Sequence, residues 1–249
     1  MFINTLPLGV VGLQYAMLFV VFMNFKIPDY YNTPPLGVIG ILFDVDNVLI
    51  DSERLYFEAV NETLRPYGER ISEQEYIDRF LLDKTGSPGL IADYGLEVTV
   101  ADMKATKREI VRRIMNEKLE LMPGAEEILD WAEGKYRIGT VTSADRKEYE
   151  IKLGKLVSLD RFKVSITEDD FTNNKPDPEP YQKGCQGLEL EPSRVLAIED
   201  NPQGVFSAFL AGCKVIAYPN GFTKNMDFPY ADRTVSSLDE IRDGLVSSL

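Results

Sequence analysis

A doubly wound α/β fold, with a parallel sheet core interrupted by an all-helical subdomain, is predicted by two features of this 249-residue chain. Short, continuously apolar runs alternate with helical patterns along most of its length. One long interval after the first run breaks that alternation.

The apolar runs are Val38 to Phe43, Arg137 to Val141, Lys163 to Ile166, Arg194 to Ile198 and Lys214 to Tyr218. Unbroken rather than alternating hydrophobicity marks strands buried on both faces, hence a parallel sheet covered by helices. Helical patterns follow at 124–134, 145–156, 178–188, 202–211 and 237–246, the order of a Rossmann-like sheet. Glu53 to Met122 carries helical pattern without a convincing strand. Its clearest amphipathic helix is Ala101 to Leu121, with Met103, Ile110, Ile114 and Met115 among charges. The interval is too long for a loop inside a compact domain and predicts a helical subdomain inserted after the first strand. The expected organisation is an apolar segment and linker at 1–36, a core at 37–52 plus 123–249, and a cap at 53–122.

Residues 1 to 25 carry no charge, and Leu8 to Phe25 is almost wholly apolar. That length is at the lower end of what spans a bilayer, so residues 8–25 are a candidate membrane anchor. A start at Met17 or Met23, or a helix docked on the domain, fits the same residues. A secretory signal fits poorly: no Lys or Arg precedes the run and no A-x-A-like site follows it. Lys26, just after the run, favours a cytoplasmic domain. Pro28, Pro34 and Pro35 make Pro28 to Gly37 a linker.

Composition narrows the chemistry. A net charge of −13 argues against diffuse binding to nucleic acid. The chain has no histidine, which excludes histidine-based triads and His-ligated metal sites. Its cysteines, Cys185 and Cys213, cannot complete a thiolate metal site alone and suggest no disulfide framework. Carboxylates, hydroxyls, lysines and a hard cation remain.

Ligands bind outside the carboxyl ends of parallel strands, so the residues at strand ends carry the chemistry. The first strand ends in Asp44-Val45-Asp46-Asn47, and side chains at i and i+2 share a face. Two adjacent carboxylates repel unless a cation or a shared proton compensates. The second strand ends in Thr142-Ser143-Ala144-Asp145, hydroxyls and free N–H groups at a helix start where a phosphate can sit. Lys175 lies before Pro176-Asp177-Pro178, held extended at the sheet edge. The fourth strand runs into Glu199-Asp200-Asn201-Pro202-Gln203-Gly204, which offers a third oxygen ligand and a close helix approach at Gly204. A solvated charged loop, a helix cap and a surface lysine would each explain one of these segments alone. Jointly they supply what phosphoryl transfer through a carboxylate needs.

On these four motifs, in this order, the chain resembles the haloacid dehalogenase-like hydrolase superfamily over roughly residues 38–240. The insertion resembles the helical cap of its subclass I. The resemblance implies a phosphatase acting on a small phosphorylated metabolite, with Asp44 as nucleophile and Asp46 as acid and base. It implies Mg²⁺ held by Asp44, the Asp46 carbonyl and Asp200 with Glu199 close by, and phosphate contacts from Thr142, Ser143, Lys175 and Asn47. Asn47 stands where a glycine is usual, a position that commonly needs positive φ, and Asn tolerates it next best. Asn201 replaces a common serine with equal capping capacity. Asp46 argues against the dehalogenase and phosphonate-hydrolase branches, the latter needing a cap lysine for which Lys84 is the candidate. The loop Leu81 to Gly89 pairs Lys84 with Asp83 and has no net positive charge, which favours hydrolysis over a sugar phosphomutase. Selectivity is expected to depend on residues 81–90 of the cap. A receiver-type phospho-acceptor fits the long insertion and the Glu199-Asp200 pair badly, and a non-catalytic scaffold fits the intact acids badly. Oligomeric state has no signature in the sequence.

Overall fold

The computed structural model describes residues 37–242. The expected anchor at 8–25, and all of the linker but Gly37, lie outside them. Among the described residues no helix is long and apolar enough to cross a membrane.

Six strands form one parallel sheet: β1 (Gly40–Phe43), β2 (Arg137–Val141), β3 (Val164–Ile166), β4 (Val195–Glu199), β5 (Lys214–Ala217) and β6 (Arg233–Thr234). Their spatial order is β3-β2-β1-β4-β5-β6. In the central register Gly40 faces Arg137 and Val195, and Phe43 faces Thr140 and Ile198.

Alternate residues of each strand enter opposite layers, which explains the unbroken apolar runs. Ile41, Phe43, Leu196, Ile198 and Ile216 pack with α5 (Ala125–Ala132), α6 (Arg146–Lys152) and α9 (Leu238–Arg242). Leu42, Val195, Ala197, Val215 and Ala217 pack with α7 (Glu179–Leu188) and α8 (Pro202–Ala211). Both sheet faces are therefore covered, and the central strand is fully buried. β6 was not expected; it is two exposed polar residues at the sheet edge, with no apolar period to reveal it. The helix expected at 237–246 is described only as α9, to Arg242.

Between β1 and β2 lie α1 (Glu53–Leu64), α2 (Glu73–Tyr76) running into a π-helical turn (Ile77–Leu82), α3 (Gly86–Tyr94) and α4 (Val100–Lys118). Val60, Leu64, Ile71, Tyr76, Leu90 and Met103 give these helices a small core of their own. Where the chain leaves and re-enters the sheet layer, two backbone bonds tie the crossings together. Asp51 N donates to Glu120 O at 3.0 Å, and Met122 N donates to Leu49 O at 2.9 Å.

Ile41, fully buried in the middle of the sheet, offers a test of this two-sided packing. Ile41→Ala is expected to cost about 2–5 kcal/mol, seen as a lower denaturant midpoint at unchanged slope. A loss under about 1 kcal/mol would contradict a well-packed position there.

Candidate active site

β1 is flanked by β2 and β4, so the chain turns away in opposite directions on its two sides. That is the switch point of a doubly wound sheet, where a crevice opens beyond the strand tips. Asp44 follows β1 directly, its N–H donating to Ile198 O at 2.9 Å and continuing the ladder to β4. Its side chain points into the protein and is 6% exposed.

Lys175 reaches this carboxylate from the loop before α7. Its ammonium donates to Asp44 Oδ1 at 2.6 Å, Glu199 Oε1 at 2.7 Å and the β2 carbonyl of Val141 at 3.0 Å. Tyr181 on α7 stacks its ring 5.2 Å from the same ammonium and donates its hydroxyl to Glu199 Oε1 at 2.7 Å. Glu199 is wholly buried at the end of β4. Gly204 is what makes room for it: a Cβ there would lie 2.1 Å from the Glu199 carboxylate atoms. The close approach expected of this glycine is thus an approach to an acid rather than to the sheet in general.

Asp200, one residue on, is held by three side-chain amides. Asn201 donates to Oδ1 at 2.8 Å, while Asn47 and Asn220 donate to Oδ2 at 3.0 and 2.8 Å. Carboxylate oxygens of Asp44, Glu199 and Asp200 come within 4.8 Å of one another, all buried. Burial pushes the Asp44 carboxyl well above the usual carboxylate range; Lys175 opposes this, and the charges of Glu199, Asp200 and Asp46 add to it. Asp200 is pushed up to about 7, first by burial and then by Glu199. Lys175, despite its burial, is held above an ordinary lysine by Asp44 and Glu199. Three buried acids against one contacting ammonium leave uncompensated negative charge, and the donors are all oxygen. The cluster therefore fits a hard divalent cation.

The environments of Asp44 and Asp46 differ sharply. Asp46 is 30% exposed, and its Oδ1 accepts from Ser52 Oγ at 2.7 Å and from Lys152 Nζ at 3.4 Å. Ser52 stands at the N-cap of α1 but makes no side-chain cap bond. Asn47 takes that task, its Oδ1 accepting from Glu53 N at 2.8 Å. Asn47 has φ of 62°, the left-handed conformation anticipated for it. Both ends of its amide are used, on Glu53 and Asp200, so its side chain orders the acids rather than standing free for a phosphate.

Thr142 is buried at the tip of β2, where its Oγ1 accepts from Ala144 N at 3.1 Å and keeps its own proton to donate. Ser143 is exposed and donates to Asn174 Oδ1 at 2.7 Å. Lys84, in the left-handed region with φ of 54°, donates to Gln203 Oε1 at 3.0 Å and so joins the insertion to α8. Tyr181, Ser52, Lys152 and Asn220 escaped sequence reasoning. Only Asn220 had a usable signal, since it lies just beyond the tip of the fifth strand, β5.

A buried acid cluster clamped by one lysine, at the switch point of such a sheet, has the groups that hydrolysis of a phosphate ester needs. The chain belongs to the haloacid dehalogenase-like hydrolases, whose sequence profile matches residues 41–218. It is 31% identical over 212 residues to protein CbbY of Rhodobacter capsulatus, covering 80% of this chain and 92% of the relative. It is 31% identical over 180 residues to a phosphorylated carbohydrates phosphatase of Thermotoga maritima, covering 71% of this chain and 82% of that protein. The crystal structure of CbbY from Rhodobacter sphaeroides in complex with phosphate superposes with a TM-score of 0.66 at 28% identity, over 82% of this chain and 96% of that one.

Gly204→Ala should displace the Glu199 carboxylate and break its bond with Lys175. The expected result is a stability loss of about 1–3 kcal/mol together with a fall of at least about tenfold in phosphatase turnover. Unchanged turnover in a folded variant would show that the placement of Glu199 does not matter to the chemistry.

Proposed function

We propose that this chain is a Mg²⁺-dependent phosphatase that hydrolyses a small-molecule phosphate monoester through a phosphoryl group carried on Asp44. The observation that carries the reading is the contact of the Lys175 ammonium with Asp44 and Glu199, with Asp200 inside coordination reach of Asp44. An ammonium so placed lowers the cost of bringing a phosphate dianion to an anionic nucleophile.

In the first step an Asp44 oxygen bonds to phosphorus while the ester P–O bond breaks, and Asp46 gives its proton to the departing oxygen. In the second step water attacks phosphorus, Asp46 takes the proton of that water, and the Asp44–phosphorus bond breaks to release inorganic phosphate. Asp46 suits the role because it is more exposed than Asp44 and hydrogen-bonded at one oxygen. Thr142 and Lys175 hold the transferring phosphoryl group, with Ser143 at the rim. A Mg²⁺ ion held by Asp44, the Asp46 carbonyl and Asp200, with Glu199 close by, would neutralise charge on the phosphoryl oxygens. The helices of residues 53–122 serve as the cap over this site, and the core is the remainder of the described chain.

The likeness to a phosphorylated carbohydrates phosphatase supports a phosphorylated sugar or a similar metabolite as substrate. The loop Leu81 to Gly89, with Lys84 engaged by Gln203, lacks the surplus positive charge that would retain a second phosphate and so supports hydrolysis over a mutase.

A panel of sugar phosphates, phosphoglycolate and nucleotides, scored by phosphate release, tests the reading directly. At least one ester is expected to turn over with Mg²⁺ and to stop on chelation, recovering when Mg²⁺ is returned. Asp44→Asn is expected to abolish turnover, and full activity in that variant would exclude the covalent route. Isomerised sugar phosphate without phosphate release would favour the mutase.

A further inference from the structure

Lys152 ends α6 and shares an i, i+4 ion pair with Glu148 at 2.5 Å. Such a pair normally sits in water, on the outer face of a helix. Here the lysine side chain is only 7% exposed. Its ammonium is turned inward, 2.9 Å from the Tyr56 hydroxyl and 3.4 Å from Asp46 Oδ1, with the Tyr56 ring centroid at 5.0 Å. Tyr56 in turn donates to Glu148 Oε1 at 3.0 Å. Burying an ammonium is costly, so its partners must compensate. The partner that belongs to neither α1 nor α6 is Asp46.

The contacts on Asp46 are one-sided. Ser52 Oγ and Lys152 Nζ both bond Oδ1, which leaves Oδ2 as the oxygen to exchange a proton. Two donors on one oxygen fix the plane of the carboxyl group and present the other oxygen in a set direction. Tyr56 lies on α1, the first inserted helix, whereas Glu148 and Lys152 lie on α6 of the sheet domain. The orientation of Asp46 is thereby linked to the seating of α1.

We propose that Lys152 is a positioning residue for departure of the leaving group. With Ser52 it aims Asp46 at the ester oxygen, and through Tyr56 it makes that aim depend on the inserted helices. This rests on the roles proposed for Asp44 and Asp46. In the step concerned the P–O bond breaks, the proton of Asp46 moves to the leaving oxygen and the Asp44–phosphorus bond forms. An alkoxide needs that proton to leave, whereas the para-nitrophenolate ion departs without it.

The test compares kcat/KM, which covers events through loss of the leaving group, for para-nitrophenyl phosphate and for an alkyl phosphate turned over in the panel above. Wild type, Lys152→Met, Lys152→Arg and Asp44→Asn are measured. The ratio of the two values in one preparation does not depend on how much of a variant has folded. In Lys152→Met the alkyl-to-aryl ratio is expected to fall about tenfold or more, a fraction of what a general acid contributes, and Lys152→Arg is expected to restore most of it. An unchanged ratio overturns the proposal, as does an equal rise in KM for both esters, which would make Lys152 a substrate ligand. If Asp44→Asn is inactive on both esters while Lys152→Met leaves the ratio intact, the role of Lys152 alone fails. If Asp44→Asn stays active on both, the covalent reading fails and this role falls with it.

Discussion

The ammonium of Lys175 sits between the carboxylates of Asp44 and Glu199, at 2.6 and 2.7 Å, with all three side chains largely removed from solvent. Removing one member of such a buried set leaves an unpaired charge, typically at a cost of about 3–5 kcal/mol. The surrounding residues are chosen around that constraint. Tyr181 gives Glu199 a hydroxyl, Gly204 gives it space, and three amides hold Asp200 beside it. These groups lie on stretches of chain as far apart as Asp44 and Asn220, so the sheet must be assembled before the cluster exists. Stability and site geometry are in this sense one problem.

Two acids separated by a single residue acquire different characters through their surroundings. Asp44 continues the ladder of β1 and is buried among charges. Asp46 lies past the strand, partly open, with one oxygen fixed by a hydroxyl and an ammonium. Burial and a lysine suit the nucleophilic role proposed for Asp44, whereas partial exposure suits the proton exchange proposed for Asp46. The inserted helices α1 to α4 have a small core of their own and join the sheet layer through paired backbone crossings beside this acid. Their position and that of Asp46 are therefore set close together.

Much of this was legible in the order of residues. The runs that became β1 to β5 were readable because burial on both faces makes most positions of an inner parallel strand apolar. Asp44, Thr142, Lys175, Glu199 and Asp200 were readable because strand tips in a parallel sheet point at one crevice. The two-residue β6 was not, since it is exposed and has no period. Lys152 and Tyr181 fall inside the helical patterns at 145–156 and 178–188, where nothing local sets either side chain apart. Asn47 read as a tolerated substitute for glycine, which its φ bears out, but not as a link between Asp200 and the start of α1.

The chain's own order determined the class of fold, the place of the insertion and the acids, hydroxyl and lysine available for chemistry. Each of these follows from hydrophobic period or from spacing along a strand or helix, which are local properties. The tertiary structure alone decided which acids are buried, which oxygen of Asp46 is fixed, and that Lys152 faces inward. Lys175 and Asp44 are 131 positions apart, and Lys152 and Asp46 are 106. Charges so distant in sequence acquire an energy only when folding sets the distance and the dielectric between them.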